Sequence, residues 1–257
     1  MATRCPLVHG HRGARAVRPE NTIPAFEYAI EVGADALEMD VAVTKDNVLV
    51  ISHDPHINPE ICQGPHPGVA IRQLTLAELR EYDCGSLKNP RFPKQQPVPG
   101  ARIPTLDEVL GLSAENNVQF NIEIKSFPDH PELTPPPDIF AMMVFDVIRK
   151  HKLESRSIVQ SFDFRTLLEL TGIRIAALWE GPARPFADIA REASASIIAP
   201  EFRLVTPEQV NAAHAAKLEV IPWTANTPED WRMLIDAGVD AIITDDPAAL
   251  IAYLKQN

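Results

Sequence analysis

Three acidic side chains stand in segments that otherwise predict buried strands. Glu38 and Asp40 lie two residues apart in the apolar run 37–41, and Glu123 lies in the run 120–124. Residues two apart in a strand point to the same face. Carboxylates in an apolar wall are costly unless a cation neutralises them, whereas on a solvated face they would be ordinary surface acids. The apolar neighbours favour the first alternative, and three oxygen ligands suit one divalent ion, Mg²⁺ or Ca²⁺.

Two histidines follow strand-like segments. His11, with Arg12 beside it, comes after the segment 7–10, and His53 comes after the run 48–52. Both are expected at the same barrel mouth, where an imidazole titrates near neutral pH. Taken singly, each is as readily a structural histidine at the end of a strand.

Lys125 shares a predicted strand face with Glu123. Together with Arg12 it can serve as a cation directed at a phosphate group. A Schiff-base lysine is the alternative role. The three nearby acids would raise the pKa of Lys125, which disfavours that alternative.

Short apolar segments alternate with helical patterns along the whole chain of 257 residues. This alternation predicts a parallel sheet, and the length is typical of one α/β barrel. We therefore expect a (β/α)8 TIM barrel, a single domain over residues 1–257. The predicted strands are 7–10, 36–43 with 48–52, 118–124, 157–160, 174–178, 196–199, 219–222 and 241–243.

Residues 55–104 interrupt this alternation. They contain nine prolines and no clear strand, and a short helix is predicted at 74–80. The stretch is too long for an ordinary connection. We interpret it as an insertion after the second strand that covers one end of the barrel, on the side where barrel active sites lie.

Composition excludes several partners. The chain has 24 Lys and Arg against 35 Asp and Glu, a net charge of −11. Nucleic acid and anionic membranes need a basic surface and are not expected as partners. No apolar run approaches the ~20 residues of a membrane span. The N-terminal residues show no signal-peptide core, which predicts a cytoplasmic protein.

The cysteines are Cys5, Cys62 and Cys84. Their odd number, and the lack of a paired motif, argue against a disulfide framework or a structural zinc site. We therefore expect reduced thiols.

Several motifs, taken together, resemble the glycerophosphodiester phosphodiesterase family over about residues 7–250. They are His11-Arg12-Gly13-Ala14, Pro19-Glu20-Asn21-Thr22, Glu38-Met39-Asp40, Thr44-Lys45-Asp46, His53-Asp54, Glu123-Ile124-Lys125, Gln160-Ser161-Phe162, Trp223-Thr224-Ala225-Asn226 and 238–245. The resemblance implies a TIM barrel with a small insertion after the second strand. It also implies a divalent metal on Glu38, Asp40 and Glu123, and His11 and His53 as the acid/base pair.

Two positions depart from the family pattern. Asn47 replaces the usual glycine of a tight turn, which asparagine can still form at positive φ. Residues 55–60 replace an Arg-Thr-Thr sequence found in many members, which leaves the headgroup preference open.

The resemblance implies hydrolysis of glycerophosphodiesters to sn-glycerol 3-phosphate and an alcohol. Arg12 and Lys125 would neutralise the phosphate, and Trp223 would either form an apolar wall for the glycerol carbons or pack inside the barrel. One alternative is another phosphodiesterase on the same barrel, of lysophospholipase D or phosphoinositide type. A second is a non-catalytic barrel that binds phosphate esters. The sequence leaves a homo-oligomer open.

Overall fold

Eight parallel strands form the ring that the alternating pattern predicts. The computed structural model describes residues 5–256, so the expectation about an N-terminal leader, which involves residues 1–4, lies outside the described residues. The strands in the described range are β1 (Leu7–Gly10), β2 (Ala36–Val43), β3 (Leu49–Ile51), β4 (Gln119–Ile124), β5 (Ser157–Ser161), β6 (Arg174–Trp179), β7 (Ile197–Pro200), β8 (Glu219–Val220) and β9 (Ala241–Thr244).

The ring runs in the order β8-β7-β6-β5-β4-β2-β1-β9, and each pair of neighbours is parallel. Backbone hydrogen bonds of 3.0 Å join its ends, from the N–H of Asp240 to the carbonyl of Val220 and from the N–H of Ile243 to that of Pro222. β3 lies outside the ring and pairs antiparallel with β2. The predicted (β/α)8 barrel is therefore confirmed.

Helices surround the ring, and several begin where the sequence places capping residues. Within residues 5–256 they are α1 (Ile23–Glu31), α2 (Leu76–Leu79), α3 (Leu106–Gly111), α4 (Pro137–Lys150), α5 (Phe186–Glu192), α6 (Pro207–Ala215), α7 (Pro228–Ala237) and α8 (Pro247–Leu254). The side chains of Thr206 and Thr227 accept hydrogen bonds from backbone N–H groups in the first turns of α6 and α7. α7 ends at Gly238, whose φ of 85° favours glycine.

β2 is buried along its whole length, because helices cover its outer face and the barrel interior covers the other. Its outward residues join the large apolar layer between strands and helices, which includes Leu37, Met39 and Val41. Its inward residues Glu38 and Asp40 are as buried as these apolar neighbours. The fold therefore places two carboxylates in the barrel interior, where they need a counter-charge.

The insertion predicted at about 55–104 contains no strand among its described residues. The predicted helix is shorter than expected and reduces to α2, preceded by the 3₁₀ turn Ile71–Gln73. A small separate apolar core, including Ile57, Leu79 and Tyr82, holds the segment together. The amide of Gln95 donates to backbone carbonyls in the loop after β1, which fastens the insertion over the barrel mouth.

Cys62 and Cys84 form a disulfide within the insertion, so the prediction of reduced thiols without a disulfide framework is wrong for this pair. Gln63 and Asp83, which are adjacent to the two cysteines in sequence, form an antiparallel β-bridge that brings Cys62 and Cys84 together. The odd count misled because Cys5 is a free exposed thiol, which leaves the other two cysteines to pair. No helix in residues 5–256 is long and apolar enough to cross a membrane.

Candidate active site

Three carboxylates converge at the carboxyl-terminal end of the barrel strands. Glu38, Asp40 and Glu123 each offer one oxygen, and these oxygens lie within 4.8 Å of one another. The parallel register sets Asp40 of β2 directly beside Glu123 of β4. All three side chains are buried, so the structure brings the predicted metal ligands together in the barrel interior.

The pKa values of the three carboxyl groups are shifted in different directions. Burial and the neighbouring acids raise the pKa of Glu38 well above its usual value. Burial, reinforced by Asp40, raises the pKa of Glu123 to about 6 against the opposing effect of Lys125. Burial acts in the same direction on Asp40, but Arg12 and other cations outweigh it and lower the pKa of Asp40. A divalent cation would relieve this mutual repulsion, and the all-oxygen donor set fits Mg²⁺ or Ca²⁺.

Arg12 occupies the turn that follows β1 and lies against the acids. Its φ is 50°, and its backbone N–H donates to Glu38 at 3.0 Å. Its guanidinium contacts Glu20 at 2.6 Å and lies 3.2 Å from Asp40. Gly13 follows at φ 83°, where a Cβ atom would clash with Ala25. This turn therefore holds Arg12 in the cavity beside the carboxylates.

His11 is held by a carboxylate that the sequence analysis did not assign to the site. Its Nδ1 donates to Asp245 at 2.6 Å, and its Nε2 lies 3.9 Å from Glu38. Asp245 also accepts from Asn226 at 2.8 Å and lies 2.9 Å from the Nε of Arg15. The position of Asp245 at the end of β9 was the available signal, because barrel active sites use strand ends.

Burial lowers the pKa of His11 to about 4, although Asp245 acts to raise it. The imidazole is then neutral near pH 7. With its Nδ1 proton directed at Asp245, its Nε2 is free to accept a proton.

His53 stands on the insertion side of the same cavity, and its side chain is 35% exposed. Its Nδ1 donates to Asp54 at 2.8 Å, and Asp54 also accepts from Asn58 at 3.0 Å. The hydrogen bond from His53 lowers the pKa of Asp54. The two histidines therefore have the same type of carboxylate partner but different exposure.

Lys125 lies 3.0 Å from Glu123 and 3.9 Å from Asp40. Burial acts to lower its pKa, but Glu123 and Asp40 outweigh that effect and raise it. A protonated Lys125 is suited to a phosphate and disfavours the Schiff-base alternative.

Trp223 forms part of the apolar wall of the site. Its indole donates to the carbonyl of Ala199 at 2.8 Å, and its ring meets that of Phe162 edge-on at 5.5 Å. The ring therefore packs on the barrel interior and also lines the cavity, and its contact with glycerol carbons stays a prediction.

One cavity of about 420 Å³ is lined by Glu38, Glu123, both histidines, Arg12, Lys125 and Trp223, whereas Asp40 and Asp245 are not part of its lining. Its barrel side carries the acids, His11 and the apolar wall, and its insertion side carries His53, Asn58, Asn89 and Arg91. The side-chain oxygen of Gln160 in its lining is buried without a partner among the described residues, while its amide donates to Glu38 at 3.1 Å. The cavity therefore combines a cation-binding set with one unused acceptor for a polar ligand.

A barrel with acids and paired histidines at the carboxyl ends of its strands has the features of a barrel hydrolase. The model of the glycerophosphoryl diester phosphodiesterase family matches residues 11–249. A glycerophosphodiester phosphodiesterase from Caldanaerobacter subterraneus subsp. tengcongensis is 33% identical over 98% of each chain. The chain belongs to the glycerophosphoryl diester phosphodiesterase family and is a phosphoric diester hydrolase.

Solved structures show the same fold. A provisionally named glycerophosphoryl diester phosphodiesterase from Silicibacter pomeroyi DSS-3 has a TM-score of 0.89 at 30% identity, covering 98% of this chain and 93% of that one. A phosphodiesterase from Oleispira antarctica, solved with the product sn-glycerol-3-phosphate, has a TM-score of 0.81 at 23% identity, covering 98% and 97%. The barrel and the insertion are thus parts of a shared architecture.

Proposed function

We propose that the protein hydrolyses glycerophosphodiesters to sn-glycerol 3-phosphate and an alcohol, in a metal-dependent reaction with His11 and His53 as proton-transfer groups. The observation that carries the proposal is the convergence of three buried carboxylate oxygens within 4.8 Å in a cavity that both histidines line. The product bound in the Oleispira antarctica relative supports the choice of substrate.

Glu38, Asp40 and Glu123 would hold the divalent ion. The bound ion supplies charge stabilisation at the phosphate oxygens, as metal ions do in phosphoryl transfer. Lys125 and Arg12 add positive charge to the same side of the cavity. Each is already paired with acids of the cluster, so both are held in place before the substrate arrives.

His11 is suited to accept the proton of the nucleophile, because its Nε2 is free and its ring is neutral near pH 7. His53, on the open side, is suited to protonate the departing alcohol. The nucleophile is either the 2-hydroxyl of the substrate, which gives a cyclic phosphate that water opens, or water itself. The same two histidines serve both routes.

A short polar substrate fits this cavity better than a lysolipid, since Asn58, Asn89 and Arg91 make the insertion side polar. The prediction of a cytoplasmic location stays a prediction. The disulfide weighs against it, because disulfides persist mainly in oxidising compartments. Thiol labelling of the protein in its own cells distinguishes a reduced protein of the cytoplasm from a disulfide-bonded protein of an oxidising compartment.

The test measures release of sn-glycerol 3-phosphate from glycerophosphocholine, glycerophosphoethanolamine and a lysolipid. We expect activity to be lost in chelator and restored by Mg²⁺ or Ca²⁺, with the diesters preferred over the lysolipid. Glu38→Gln, Asp40→Asn and Glu123→Gln should each weaken metal binding measured by calorimetry. Glu169→Gln, an exposed acid outside the cavity, is the control.

Full activity in chelator without a bound ion contradicts the metal-dependent mechanism. A metal-loaded protein that binds these esters without cleaving them contradicts the proposed activity and favours the ester-binding barrel. Preference for the lysolipid favours the lysophospholipase D alternative.

A further inference from the structure

Asp245 is a buried carboxylate whose negative charge is not balanced by the groups that hydrogen-bond to it. It is 4% exposed and accepts from His11 at 2.6 Å and from Asn226 at 2.8 Å. Asn226 is uncharged, and burial lowers the pKa of His11 to about 4, so His11 is neutral near pH 7. A buried ion without a counter-ion is costly. A cation is therefore required beside Asp245.

Arg15 is the cation in this position. Its Nε lies 2.9 Å from the Oδ1 atom of Asp245, the same oxygen that accepts from His11. Arg12 lies in the same loop, but its guanidinium is already paired with Asp40 at 3.2 Å. Within the described part of the chain, Arg15 is the one arginine or lysine at ion-pair distance from Asp245. The charge balance of this carboxylate therefore depends on Arg15.

The insertion holds Arg15 in place. The ring of Phe92 lies against the guanidinium, with 4.7 Å between Cζ and the ring centroid. The side-chain amide of Gln95 donates to the backbone carbonyls of Arg15 at 2.8 Å and of Arg18 at 3.0 Å. Both residues follow Cys84, outside the loop that the disulfide closes, and neither lines the cavity of the site. They therefore reach the site through the loop that carries Arg15.

The charge of Asp245 decides which ring nitrogen of His11 carries the proton. A carboxylate can only accept, so it keeps the proton on Nδ1 and leaves Nε2 free. A protonated carboxyl group could instead donate to Nδ1, which would place the ring proton on Nε2, the nitrogen 3.9 Å from Glu38. In that tautomer His11 could not accept a proton from a nucleophile.

We propose that Arg15 is a positioning residue for His11, because it supplies the counter-charge of Asp245 and is itself held there by Phe92 and Gln95 of the insertion. The inference rests on the proposed function, in which His11 accepts the proton of the nucleophile. Arg15 thus differs from Arg12, since its contribution passes through a carboxylate and a histidine rather than directly to the phosphate.

The first test separates a positioning role from substrate contact, with glycerophosphocholine as substrate and Mg²⁺ supplied. Arg15→Met removes the charge and keeps the side-chain stem, and we expect kcat to fall by about 10- to 100-fold while KM changes less than about 3-fold. Arg15→Lys restores a cation and should return kcat to within about 5-fold of the native value. Arg18→Met is the matched control and should change neither constant, because Arg18 stacks on Tyr28 and does not line the cavity.

A double-mutant cycle with Asp245 tests the route of the effect. Asp245→Asn leaves no charge for Arg15 to balance, so adding Arg15→Met should lower kcat by less than about 2-fold further. Phe92→Leu removes the ring contact and should lower kcat by about 3- to 10-fold alone, but again by less than about 2-fold in Asp245→Asn. Because Phe92→Leu retains the cation, it carries the test if Arg15→Met does not fold.

The tautomer of His11 gives a readout that does not depend on turnover. Nitrogen chemical shifts of histidine rings distinguish a protonated ring nitrogen from a free one, and His11→Gln assigns the signal. We expect the proton of His11 on Nδ1 in the native protein and in Arg18→Met. In Arg15→Met we expect a mixture of tautomers or the proton on Nε2.

An unchanged kcat in Arg15→Met, or an equal loss in the native and Asp245→Asn backgrounds, overturns the positioning role while the hydrolase activity stands. A rise in KM without a change in kcat assigns Arg15 to substrate binding and overturns that role too. Absence of hydrolysis by the native protein with metal supplied overturns the proposed function. A proton that stays on Nδ1 in Arg15→Met overturns the inference about Arg15, whatever the activity.

Discussion

The barrel and the insertion build the two sides of the site in different ways. On the barrel side, strand register sets each group, as with Asp40 beside Glu123 in neighbouring parallel strands. On the insertion side, irregular backbone carries Asn58, Asn89 and Arg91, held by a small core and one disulfide. Backbone hydrogen bonds along the strands fix the first set, whereas local turns fix the second.

The two sides of the site also differ in the part they play in the proposed reaction. The barrel side holds the buried acids and His11, whose geometry must be rigid because charges interact strongly at short range in a dry interior. The insertion side holds the more exposed groups, which meet the variable part of a substrate. Loops placed on a rigid scaffold are where proteins vary specificity.

The largest expected effect comes from removing either histidine, one from each side. His11→Ala and His53→Ala should each lower kcat by roughly 10²–10⁴, the usual scale of general acid–base catalysis. Metal affinity should change little, since the proposed ligands are the carboxylates. The double variant should lose less than the product of the single effects if both histidines act in one step. The measurements are kinetics and metal titration on each variant.

Asp245 and Asp54, the carboxylate partners of His11 and His53, allow a second comparison of the two sides. Asp245→Asn should lower kcat more than Asp54→Asn, because Asp245 is buried and holds His11 with support from Asn226, whereas Asp54 is half-exposed. Loss of metal binding in His11→Ala or His53→Ala would make that histidine a ligand. An unchanged kcat in either variant would mean that another residue carries out the proton transfer assigned to that histidine.

The sequence predicted the barrel side well and the insertion side poorly. Residues two apart in a strand point to the same face, so polar residues at that spacing within an apolar run can be assigned to one face from the sequence alone. The placement of Glu38, Asp40 and Lys125 was predicted in this way. Asn47 takes φ 61° in the turn between β2 and β3, as expected for a residue in place of glycine. Asp245 was missed because its partner His11 lies 234 residues away in the chain, and local pattern carries no such contact.

The insertion could not be predicted in the same way, since its structure depends on contacts without periodicity. The disulfide between Cys62 and Cys84 lies beside the β-bridge of Gln63 with Asp83, and no repeating pattern in the sequence predicts that bridge. The predicted helix at 74–80 was shortened to four residues, because Leu74 ends the preceding 3₁₀ turn and Thr75 caps the helix that begins at Leu76.

A further prediction concerns the acids of the barrel side. The raised pKa values of Glu38 and Glu123, the latter about 6, mean that the metal-free folded protein keeps protons on these carboxyls that the unfolded chain releases near pH 4.5. These two carboxyl groups therefore contribute most to the stability of the metal-free protein at acid pH. Their contribution falls as the pH rises from about 4.5 through the raised pKa values. Metal binding must displace the same protons, so metal affinity should rise about 10- to 100-fold per pH unit up to about pH 6.

Calorimetry at several pH values in buffers of different ionisation enthalpy measures the released protons directly. At about pH 5, where Glu123 is protonated in the metal-free protein, Glu123→Gln should remove about one proton from the release, while Glu169→Gln should not change it. Affinity that stays constant from pH 5 to 7 would contradict a cation site made of these carboxylates. Variants on the insertion side, such as Arg91→Ala, should keep the native pH dependence, because Arg91 is exposed at the rim.

The smallest effect on activity is expected from the disulfide of the insertion. Cys62 and Cys84 are separated by 22 positions, and closing a loop of that length stabilises a fold by about 3 kcal/mol through the unfolded chain. Cys62→Ser with Cys84→Ser, or reduction of the native protein, should therefore loosen the insertion while the barrel stays folded. Amide exchange at Gln63 and Asp83 should quicken by about 100-fold, whereas exchange within β2 should not change.

Because the acids and His11 belong to the barrel, the same variant should retain kcat within about threefold and lose mainly in KM, where the insertion side contacts substrate. Cys5→Ser is the control, since Cys5 is a free exposed thiol outside the insertion. Faster exchange in β2 along with the insertion would show that the two regions unfold as one unit. A loss of kcat as large as that of His53→Ala would show that the disulfide positions His53 itself, and the division between a rigid barrel side and a separately held insertion side would then fail.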